Sequence, residues 1–256
     1  MSEPKTAIVT GAARGIGLAS TELFLEQGWR VVMVDRDGAE LTTAAGALTG
    51  VHPIIADISD PAQVDAMVAD ALGKFGRIDA LVNNAGVALF SRVEKTGFDG
   101  WREVMATNLD GVFLCTQACT AALAATKGSI VNIASISGLR ASTLRVAYGT
   151  SKAAVIHMTK QFAAELGELG IRVNCIAPGP VRTKLAMAVH APEIIAAYYD
   201  AIPLNRYGEA REIAEGIVFL LSDNASFISG QTLAVDGGFD ATGVGLPALR
   251  RVDEGT

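Results

Sequence analysis

Tyr148 and Lys152 lie four residues apart in the sequence, thirteen residues after Ser135. Positions i and i+4 share one face of an α-helix, so this segment predicts a phenol beside an ammonium group. A nearby positive charge favours the phenolate and would lower the pKa of Tyr148 from its usual value of about 10. A tyrosine tuned in this way can take a proton from an alcohol or return one to a carbonyl. The same spacing is also common on exposed helix faces, so the surrounding elements decide between the two interpretations.

A glycine-rich turn follows the first apolar run of the chain. Residues 5–10 are mostly apolar and β-branched, and they lead into G-A-A-R-G-I-G at 11–17 and then into a helical pattern. This order of strand, glycine turn and helix is typical of nucleotide binding, because a pyrophosphate can approach amides at a helix N-terminus. The spacing differs from the commoner G-x-G-x-x-G, and an ordinary glycine turn is the alternative. The candidate phosphate-binding residues are Gly11, Arg14, Gly15, Ile16 and Gly17.

Strand and helix patterns alternate along the whole chain. Buried parallel strands are predicted at 7–10, 30–34, 51–56, 80–83, 129–133, 172–177 and 232–235. Helical patterns include 61–75, 101–125, 153–169 and 211–221. Asp60 and Pro61 form a good helix start, with a capping carboxylate before a first-turn proline. The alternation predicts one α/β domain over residues 1–256, with a doubly wound parallel sheet and helices on both faces.

The composition fits a water-exposed α/β protein with a large core. Half of the 256 residues are apolar, and the mean hydropathy is +0.34. No apolar run approaches the ~18 residues that span a bilayer, and the N-terminus lacks the charged and apolar regions of a signal peptide. A net charge of -6 argues against a general nucleic-acid binder. We therefore expect neither a membrane nor a nucleic acid as a partner.

The cysteines and histidines give little support for a metal site. Cys115, Cys119 and Cys175 are an odd number without close-paired metal spacing, which predicts buried free thiols in a reducing cytoplasm. Of the three histidines, none neighbours another histidine or a cysteine. His157 is predicted on a helix face, and His52 and His190 in or near loops. No metal is expected.

The separated motifs together resemble the short-chain dehydrogenase/reductase family, from Thr10 to about Phe239. The resemblance implies a Rossmann-like domain and an oxidoreductase that transfers a hydride between a secondary alcohol or polyol, or the matching ketone, and a nicotinamide cofactor. The matching motifs, in order, are T-G-A-A-R-G-I-G at 10–17, N-N-A-G at 83–86, Asn108, Ser135, Tyr148 with Lys152, P-G at 178–179, Thr183, and V-D-G-G at 235–238.

The resemblance also implies a role for each catalytic position. The Ser135 hydroxyl would donate to a substrate oxygen, and Tyr148 would exchange a proton with that same oxygen. Lys152 would hold the nicotinamide ribose hydroxyls, and Asn108 would bend its helix and hold a water that continues the proton path from Lys152. The alternatives are a turn serine at 135 and a surface asparagine at 108.

Further cofactor contacts follow from the same resemblance. Asp57 and Ile58 match family positions that flank the adenine. Asn84, Ala85 and Gly86 would line the cofactor ribose, although a polar turn bridging two strands is the other interpretation. The nicotinamide carboxamide would be fixed by the loop after the sixth strand, at Pro178, Gly179, Val181 and Thr183.

The end of the second predicted strand bears on the choice between NAD and NADP. Asp35 stands there, where a carboxylate would accept hydrogen bonds from the adenosine ribose and repel a 2′-phosphate. Arg14 and Arg36 argue in the other direction, because guanidinium groups pair well with phosphate. Asp35 could also simply begin a turn. The prediction is NAD as the cofactor, with NADP less favoured.

The sequence leaves the substrate unidentified. The predicted walls of its cleft are 87–92, 138–147 and 184–207, the last of which is predicted to be a mobile lid. Arg140 and Arg145 could bind an anionic or hydroxyl-rich substrate, or could lie in solvent. The segment 241–256 is predicted to be a flexible tail.

Two other functions and an assembly are also considered. One is an NADPH-dependent 3-oxoacyl-(acyl-carrier-protein) reductase, which Asp35 disfavours. The other is a non-catalytic nucleotide-binding regulator, which the four matching catalytic positions disfavour. The helices at 101–125 and 153–169 are apolar on more than one face, and with the resemblance they predict a homotetramer. Coverage of both helices by the same chain, for instance by 245–249, is the alternative.

Overall fold

A single parallel sheet of seven strands forms the centre of the molecule. The structure is a computed structural model that describes residues 3–183, 187 and 190–243. The strand order is β3-β2-β1-β4-β5-β6-β7, and every neighbouring pair is parallel. The strands are β1 Thr6–Thr10, β2 Arg30–Asp35, β3 Val51–Ile55, β4 Ala80–Asn83, β5 Ser129–Ile133, β6 Arg172–Pro178 and β7 Thr232–Val235. The predicted strands are confirmed, with bounds that differ by at most one residue, but the edge strands β3 and β7 are only partly buried and not fully buried as predicted.

Helices cover both faces of this sheet, as the alternating pattern predicts. The α-helices are α1 Gly15–Glu26, α2 Gly38–Gly46, α3 Pro61–Phe75, α4 Phe98–Met105, α5 Gly111–Thr126, α6 Ile136–Leu139, α7 Val146–Leu166, α8 Pro192–Ala201 and α9 Ala210–Leu221. Short 3₁₀ turns lie at Val93–Lys95, Gly167–Leu169 and Asp223–Ala225, and a π-helical turn lies at Ala106–Asp110.

Alternate residues of each central strand enter different cores. Ala7 and Val9 of β1 pack with α1 and α9, whereas Ile8 packs with α3 and α5. All three side chains are fully buried. Because side chains of a strand alternate between faces, a strand covered on both sides must be apolar throughout. This requirement explains why the sequence shows continuous apolar runs here.

Two predicted helices differ from those in the structure. Helix α7 begins at Val146, although the apolar pattern predicts a start at residue 153. Its first turns contain Gly149, Thr150 and Ser151, which are weak helix formers. They pack closely against α6, where a Cβ at Gly138 would come within 2.7 Å of the Lys152 carbonyl carbon. Tertiary packing therefore extends this helix beyond the part that local propensity predicts.

The helix predicted at 101–125 is divided by the π-helical turn. Helix α4 ends at Met105, the turn occupies Ala106–Asp110, and α5 follows without leaving the helical path. Such turns occur mainly as single insertions inside α-helices, often at functional sites. The whole segment Phe98–Thr126 is long and apolar enough to span a membrane by length and composition alone. In the structure α5 packs against α3, β4 and β5.

Smaller features of the sequence have mixed outcomes. The Asp60 carboxylate accepts hydrogen bonds from the amides of residues 62 and 63, at 2.9 and 3.3 Å, so the predicted start of α3 is confirmed. His52 lies inside β3, not in a loop, and its Nε2 is 3.1 Å from Asp70. The three cysteines are free and buried, as predicted. Among the described residues, no group of three or more His, Cys, Asp or Glu side chains could hold a metal ion.

A buried polar chain joins the strands to two helices near the carboxyl edge of the sheet. Asn83 Nδ2 donates to Asn132 Oδ1 at 2.9 Å and to Thr116 Oγ1 at 3.2 Å. Asn132 Nδ2 donates in turn to Thr159 Oγ1 at 2.9 Å. These contacts connect β4 and β5 with α5 and α7. They fix the two helices relative to the strand ends where the candidate site residues lie.

Candidate active site

The ends of β1 and β4 are joined through Thr10. Its Oγ1 donates to the Val82 carbonyl at 3.2 Å and accepts the amides of Asn84 and Ala85 at 3.0 and 3.1 Å. The Asn84 side chain donates back to the carbonyls of Thr10 and Gly11 at 2.9 and 3.1 Å. Asn84 therefore bridges two strand ends, as expected if this motif forms a polar turn between two strands. The contact of residues 84–86 with a cofactor ribose stays a prediction.

Glycine is required where the turn approaches its neighbours. A Cβ at Gly11, whose φ is +63°, would lie 2.9 Å from the Ala85 Cα. A Cβ at Gly17 would lie 2.1 Å from the Gly11 carbonyl oxygen. Real Cβ atoms do not tolerate such distances, so both positions exclude larger residues. These two glycines hold the turn against the end of β4.

Gly15 faces a more open space at the start of α1. Its φ of +58° favours glycine, and the nearest atom to an added Cβ would be Thr183 Cγ2 at 3.7 Å. Arg14, the N-cap residue, makes no side-chain cap to this helix. The amides of Gly15, Ile16 and the next residues therefore stand at an uncapped N-terminus, where the helix dipole favours an anion. This cradle fits a dinucleotide pyrophosphate.

Asp35 is fixed beside the glycine-rich turn. Its Oδ2 accepts the amide of Ala13 at 3.1 Å, and its Oδ1 accepts the amide of Asp37 at 3.0 Å. The carboxylate thus starts a turn and also orients itself toward the loop that precedes α1. Each oxygen retains acceptor capacity, because an ionised carboxylate offers about four lone-pair sites.

Both arginines that would favour a 2′-phosphate are already paired with carboxylates. Arg14 Nη2 contacts Asp37, and Arg36 Nη1 lies 3.9 Å from Asp57. Asp57 also accepts hydrogen bonds from the Ser59 amide at 2.9 Å and the Ser59 hydroxyl at 2.7 Å. These bonds hold the pKa of Asp57 below its usual range, and the amide has the larger effect. A phosphate at this end would have to compete with these acidic partners.

Ile58 and Val181, both predicted cofactor residues, have buried side chains. Ile58 is only 4% exposed, and a Cβ at Gly111 would lie 2.6 Å from its Cδ1. Val181 is also buried and forms a short bridge with Gly208. If these residues contact a cofactor, only their backbones can do so. The neighbouring Gly179 donates its amide to Val235 at 3.0 Å, which ties the loop after Pro178 to the end of β7.

Ser135 and Tyr148 meet where β5 ends. Ser135 Oγ accepts the Ser137 amide at 3.1 Å, which caps α6, and the same side chain lies near enough to the Tyr148 phenol to influence its pKa. Burial of the phenol raises the pKa of Tyr148. The nearby Ser135 side chain and the positive charge of Arg145 oppose that rise without reversing it. The two hydroxyls are therefore placed so that one oxygen atom of a ligand could contact both.

Lys152 does not lower the pKa of Tyr148 in this structure, so that expectation is wrong. Its Nζ donates to the Ile133 carbonyl at 2.7 Å and lies 5.8 Å from the centre of the Tyr148 ring. The Lys152 side chain therefore extends toward the end of β5 and not toward the Tyr148 hydroxyl. Burial lowers the pKa of Lys152 to about 8, because the interior disfavours the ammonium form.

Asn108 lies fully buried inside the π-helical turn, so the surface-asparagine alternative is wrong. Its Oδ1 accepts the Val87 amide at 2.8 Å, and its Nδ2 donates to the Val87 carbonyl at 2.9 Å and to Ser151 Oγ at 3.0 Å. Both amide hydrogens are thus used. A water in the proposed proton path would need the remaining Oδ1 lone pair or a backbone carbonyl.

Gly86 brings this asparagine and Lys152 together. A Cβ at Gly86 would lie 3.2 Å from Asn108 Oδ1 and 3.4 Å from Lys152 Nζ. The loop after β4, the π-helical turn and α7 therefore converge at one point. The structure brings all four predicted catalytic residues into this one region, at the carboxyl ends of β4 and β5.

Two residues of the site have roles that the motifs do not assign. Thr10 joins the ends of β1 and β4, and Ser151 lies fully buried between Asn108 and the Tyr148 carbonyl, to which its Oγ donates at 2.7 Å. Ser151 is three residues from Tyr148, so helical spacing places it near the tyrosine. Its bond to Asn108 spans forty-three residues and has no signal in the sequence.

The segment that follows β6 supplies an aromatic cluster. Tyr207 is 2% exposed, and its hydroxyl is 3.0 Å from His190 Nδ1. The ring of Tyr207 also contacts Tyr198 and Tyr199 of α8 edge-on, at 5.7 and 5.6 Å between centroids.

Residues 184–186, 188 and 189 of the predicted lid and 244–256 of the predicted tail lie outside the described residues. The mobility of both segments stays a prediction.

The two cleft arginines have different surroundings. Arg140 stacks on Phe239, with 3.8 Å from its guanidinium carbon to the ring centre, and donates to the Thr242 carbonyl at 3.3 Å. Arg145 is half-buried, and its guanidinium carbon lies 4.8 Å from the centre of Phe90 and 6.0 Å from that of Tyr148. Arg145 therefore lies close to the candidate acid–base group.

Comparison with known proteins identifies the family. A family model described as enoyl-(acyl carrier protein) reductase matches residues 11–240. The chain belongs to the short-chain dehydrogenase/reductase family. Like its relatives, this short-chain dehydrogenase/reductase is an oxidoreductase that acts on CH–OH groups.

Relatives and a solved structure align over nearly the whole chain. A galactitol 2-dehydrogenase of Cereibacter sphaeroides is 39% identical, over 91% of this chain and 94% of its own length. A 3-oxoacyl-(acyl-carrier-protein) reductase of Thermotoga maritima is 37% identical, over 92% and 98%. The crystal structure of a Brucella melitensis 3-ketoacyl-(acyl-carrier-protein) reductase with NADH is 34% identical, covers 93% and 99%, and superposes with a TM-score of 0.88.

The buried ammonium of Lys152 predicts a pH-dependent stability. Its pKa is about 8 when folded and 10.5 as the reference value, so burial costs about 3 kcal/mol below pH 8. Between these two values the unfolded chain binds more protons, so the cost disappears as the pH rises. We expect Lys152→Met to be more stable than wild type at pH 7, by a margin that shrinks toward pH 10.5. Denaturant unfolding at fixed protein concentration measures this margin.

Lys160→Met is the matched control, because Lys160 lies exposed on the same helix. Its difference from wild type should stay constant over the same pH range. A Lys152→Met margin that is equally constant would contradict the buried-ammonium assignment.

Proposed function

We propose that Tyr148 is the general acid–base of an NAD-dependent enzyme that interconverts a secondary alcohol or polyol and the matching ketone. The observation that carries this proposal is the proximity of the Ser135 hydroxyl and the Tyr148 phenol at the end of β5, beside the buried Lys152. Two hydroxyls that converge on one point can hold a carbonyl or carbinol oxygen between them. NAD(H), when bound, supplies the hydride chemistry.

The protein's own groups account for the proton. Because the pKa of Tyr148 is raised, the phenol is protonated near neutral pH and can donate to a carbonyl oxygen. Ser135 holds that same oxygen by donating its hydroxyl hydrogen. In the direction of alcohol oxidation, Tyr148 must first lose its proton, and Lys152 is the neighbouring basic group that titrates at about 8. Oxidation should therefore be favoured by alkaline conditions.

The charges near the end of β2 support NAD over NADP. The carboxylate of Asp35 is held in place by two amides, while Arg14 and Arg36 are already paired with acidic side chains. An approaching 2′-phosphate would meet a fixed negative charge and no uncommitted guanidinium from these two arginines. The Brucella melitensis relative, which was crystallised with NADH, is consistent with this choice.

Polyols and simple secondary alcohols are the proposed substrates. The similarity to galactitol 2-dehydrogenase supports this class, since that enzyme acts on a polyol. The similarity to 3-oxoacyl-(acyl-carrier-protein) reductases supports the second candidate, in which a ketone of an acyl chain is reduced. Dependence on NADPH, which that candidate includes, fits poorly with Asp35. A non-catalytic regulator would not need the convergence of Ser135, Tyr148 and Lys152.

The outward faces of α5 and α7 support a homotetramer. The apolar stretch within Phe98–Thr126 is only 33% buried, and Phe113, at 43% exposure, stacks on Phe162 of α7 at 6.5 Å. An apolar helix face that the same chain leaves exposed needs a second partner, and a symmetric copy supplies one. Since α5 packs on the sheet, we propose a protein copy and not a membrane as this partner.

The reduced, buried thiols support a cytoplasmic location, and the net charge of -6 argues against a nucleic-acid partner.

Tyr148→Phe removes only the oxygen that moves the proton. We expect turnover to fall by about a hundredfold or more, while NAD affinity is retained. Steady-state oxidation of a polyol panel and an NAD titration measure the two quantities. Tyr198→Phe is the control, because the Tyr198 hydroxyl makes no hydrogen bond within the described part of the chain. Retention of more than about a tenth of the activity in Tyr148→Phe would contradict the acid–base role.

Asp35→Ser removes the carboxylate that is proposed to exclude NADP. Wild type should bind NAD more tightly than NADP, and the variant should lose most of this preference because the repulsion is gone. Isothermal titration with both cofactors measures the ratio, and Asp65→Ser, an exposed carboxylate on α3, is the control. Wild type that binds NADP tenfold more tightly, a difference of about 1.4 kcal/mol, would overturn the assignment.

Sedimentation at micromolar concentration should show a species of about four times the 26.6 kDa chain mass. Phe113→Glu places a charge on the proposed interface and should shift the protein to smaller species. Phe227→Glu is the control, because Phe227 is fully exposed and lies outside both helices. A wild-type protein that sediments as a monomer would show that the same chain satisfies these helix faces.

A further inference from the structure

Arg145 occupies a defined place at the mouth of the candidate site. It is the N-cap residue of α7, three residues before Tyr148. Its backbone pairs with Ser91, and the Ser91 amide donates to the Leu144 carbonyl at 3.0 Å. Its guanidinium lies against the ring of Phe90, which belongs to the opposite wall of the cleft. The side chain is thus held between two walls and close to the phenol.

This guanidinium has no acidic partner within residues 3–183, 187 and 190–243. None of the ion pairs found there includes Arg145, and its side chain donates no hydrogen bond in that part of the chain. Arg140, in the same wall, is by contrast stacked on Phe239 and bonded to a carbonyl. A half-buried charge ordinarily has a partner, because removing it from water without one is costly.

The rest of the described cleft provides no negative charge for Arg145. The walls at 87–92 and 138–147 contain no Asp or Glu. In the part of the third wall that the structure describes, Glu193 and Asp200 are both exposed to solvent. His190 lies within electrostatic reach of Arg145 and is hydrogen-bonded to Tyr207. Burial and then the charge of Arg145 lower the pKa of His190, so this ring is neutral at pH 7.

We propose that Arg145 binds a carboxylate carried by the substrate itself, so that the enzyme acts on short hydroxy acids and the matching oxo acids. This proposal rests on the proposed role of Tyr148 and adds a substrate class to it. A guanidinium offers a planar pair of donors that matches a carboxylate. With only 6.0 Å between the guanidinium carbon and the centre of the Tyr148 ring, the carboxylate and the reacting carbon must be a few bonds apart.

The distance also separates this class from acyl-carrier-protein substrates. A thioester-linked acyl chain carries no charge close to its ketone, so Arg145 would have nothing to pair with beside the reacting carbon. A neutral polyol would be bound by hydrogen bonds alone and would leave the charge unpaired. A hydroxy acid supplies the missing anion and orients the carbinol toward Ser135 and Tyr148 at the same time.

The test compares acids with their own neutral esters. We suggest 3-hydroxybutanoate and 4-hydroxypentanoate, each with its methyl ester, in a kcat/KM assay of NAD reduction. Wild type should prefer the better acid to its ester by at least tenfold. Arg145→Gln should reduce this acid-to-ester ratio by at least tenfold, and Arg145→Lys should restore part of it. Arg102→Gln, an exposed arginine on α4, should leave the ratio unchanged.

Each contrary outcome identifies what fails. If wild type oxidises the esters or neutral alcohols but not the acids preferentially, or if Arg145→Gln lowers acids and esters equally, the carboxylate assignment is overturned while the proposed oxidoreductase function stands. If wild type oxidises none of these compounds and no neutral polyol, the proposed function fails with it. Thermal unfolding and NAD titration of each variant establish that the fold and the cofactor site are intact.

Discussion

The burial of the Lys152 ammonium is the constraint around which the candidate site is built. A charged group at 4% exposure, with its Nζ bonded to the Ile133 carbonyl, is expensive to keep in a protein interior. Its position requires Gly138, where a Cβ would lie 2.7 Å from the Lys152 carbonyl carbon, and leaves little room for a side chain at Gly86, where a Cβ would lie 3.4 Å from Lys152 Nζ. Thr159, which lies seven residues after Lys152 on the same helix, is held by a hydrogen bond from Asn132 of β5. The core therefore holds α7 in place and prevents relaxation of the lysine toward water.

Much of this arrangement could be predicted from the sequence, for a clear physical reason. Strands that are covered on both faces are mostly apolar, so the central strands appear in the sequence as apolar runs. The carboxyl ends of parallel strands meet at one edge, so connectivity alone predicts that residues that follow different strands, such as Gly11, Asn84 and Ser135, lie near each other. Both inferences depend only on periodicity and connectivity, which the sequence records directly.

The remaining features depend on contacts between distant segments. Spacing places Tyr148 and Lys152 on one helix face, but it does not determine side-chain direction, and Lys152 turns toward β5. The start of α7 is set by packing on α6, against the weak helix preference of its own first turns. The π-helical turn at Asn108 is stabilised by Val87 and Ser151, which are twenty-one and forty-three residues away. None of these contacts can be predicted from the periodicity of the sequence.

On the proposed assignments, the cofactor end and the substrate end of the cleft select ligands by opposite charges. Near the end of β2 the arginines are neutralised by neighbouring carboxylates, and the fixed charge that remains is the negative one of Asp35. At the mouth beside Tyr148 the fixed charge is the positive one of Arg145, with no acidic partner in the described residues. On the proposed assignments, the 2′-phosphate of NADP would be repelled at one end and an anionic substrate would be attracted at the other. Specificity of this kind needs few contacts, because an unfavourable charge in a partly buried site rejects the wrong ligand even where its shape would fit.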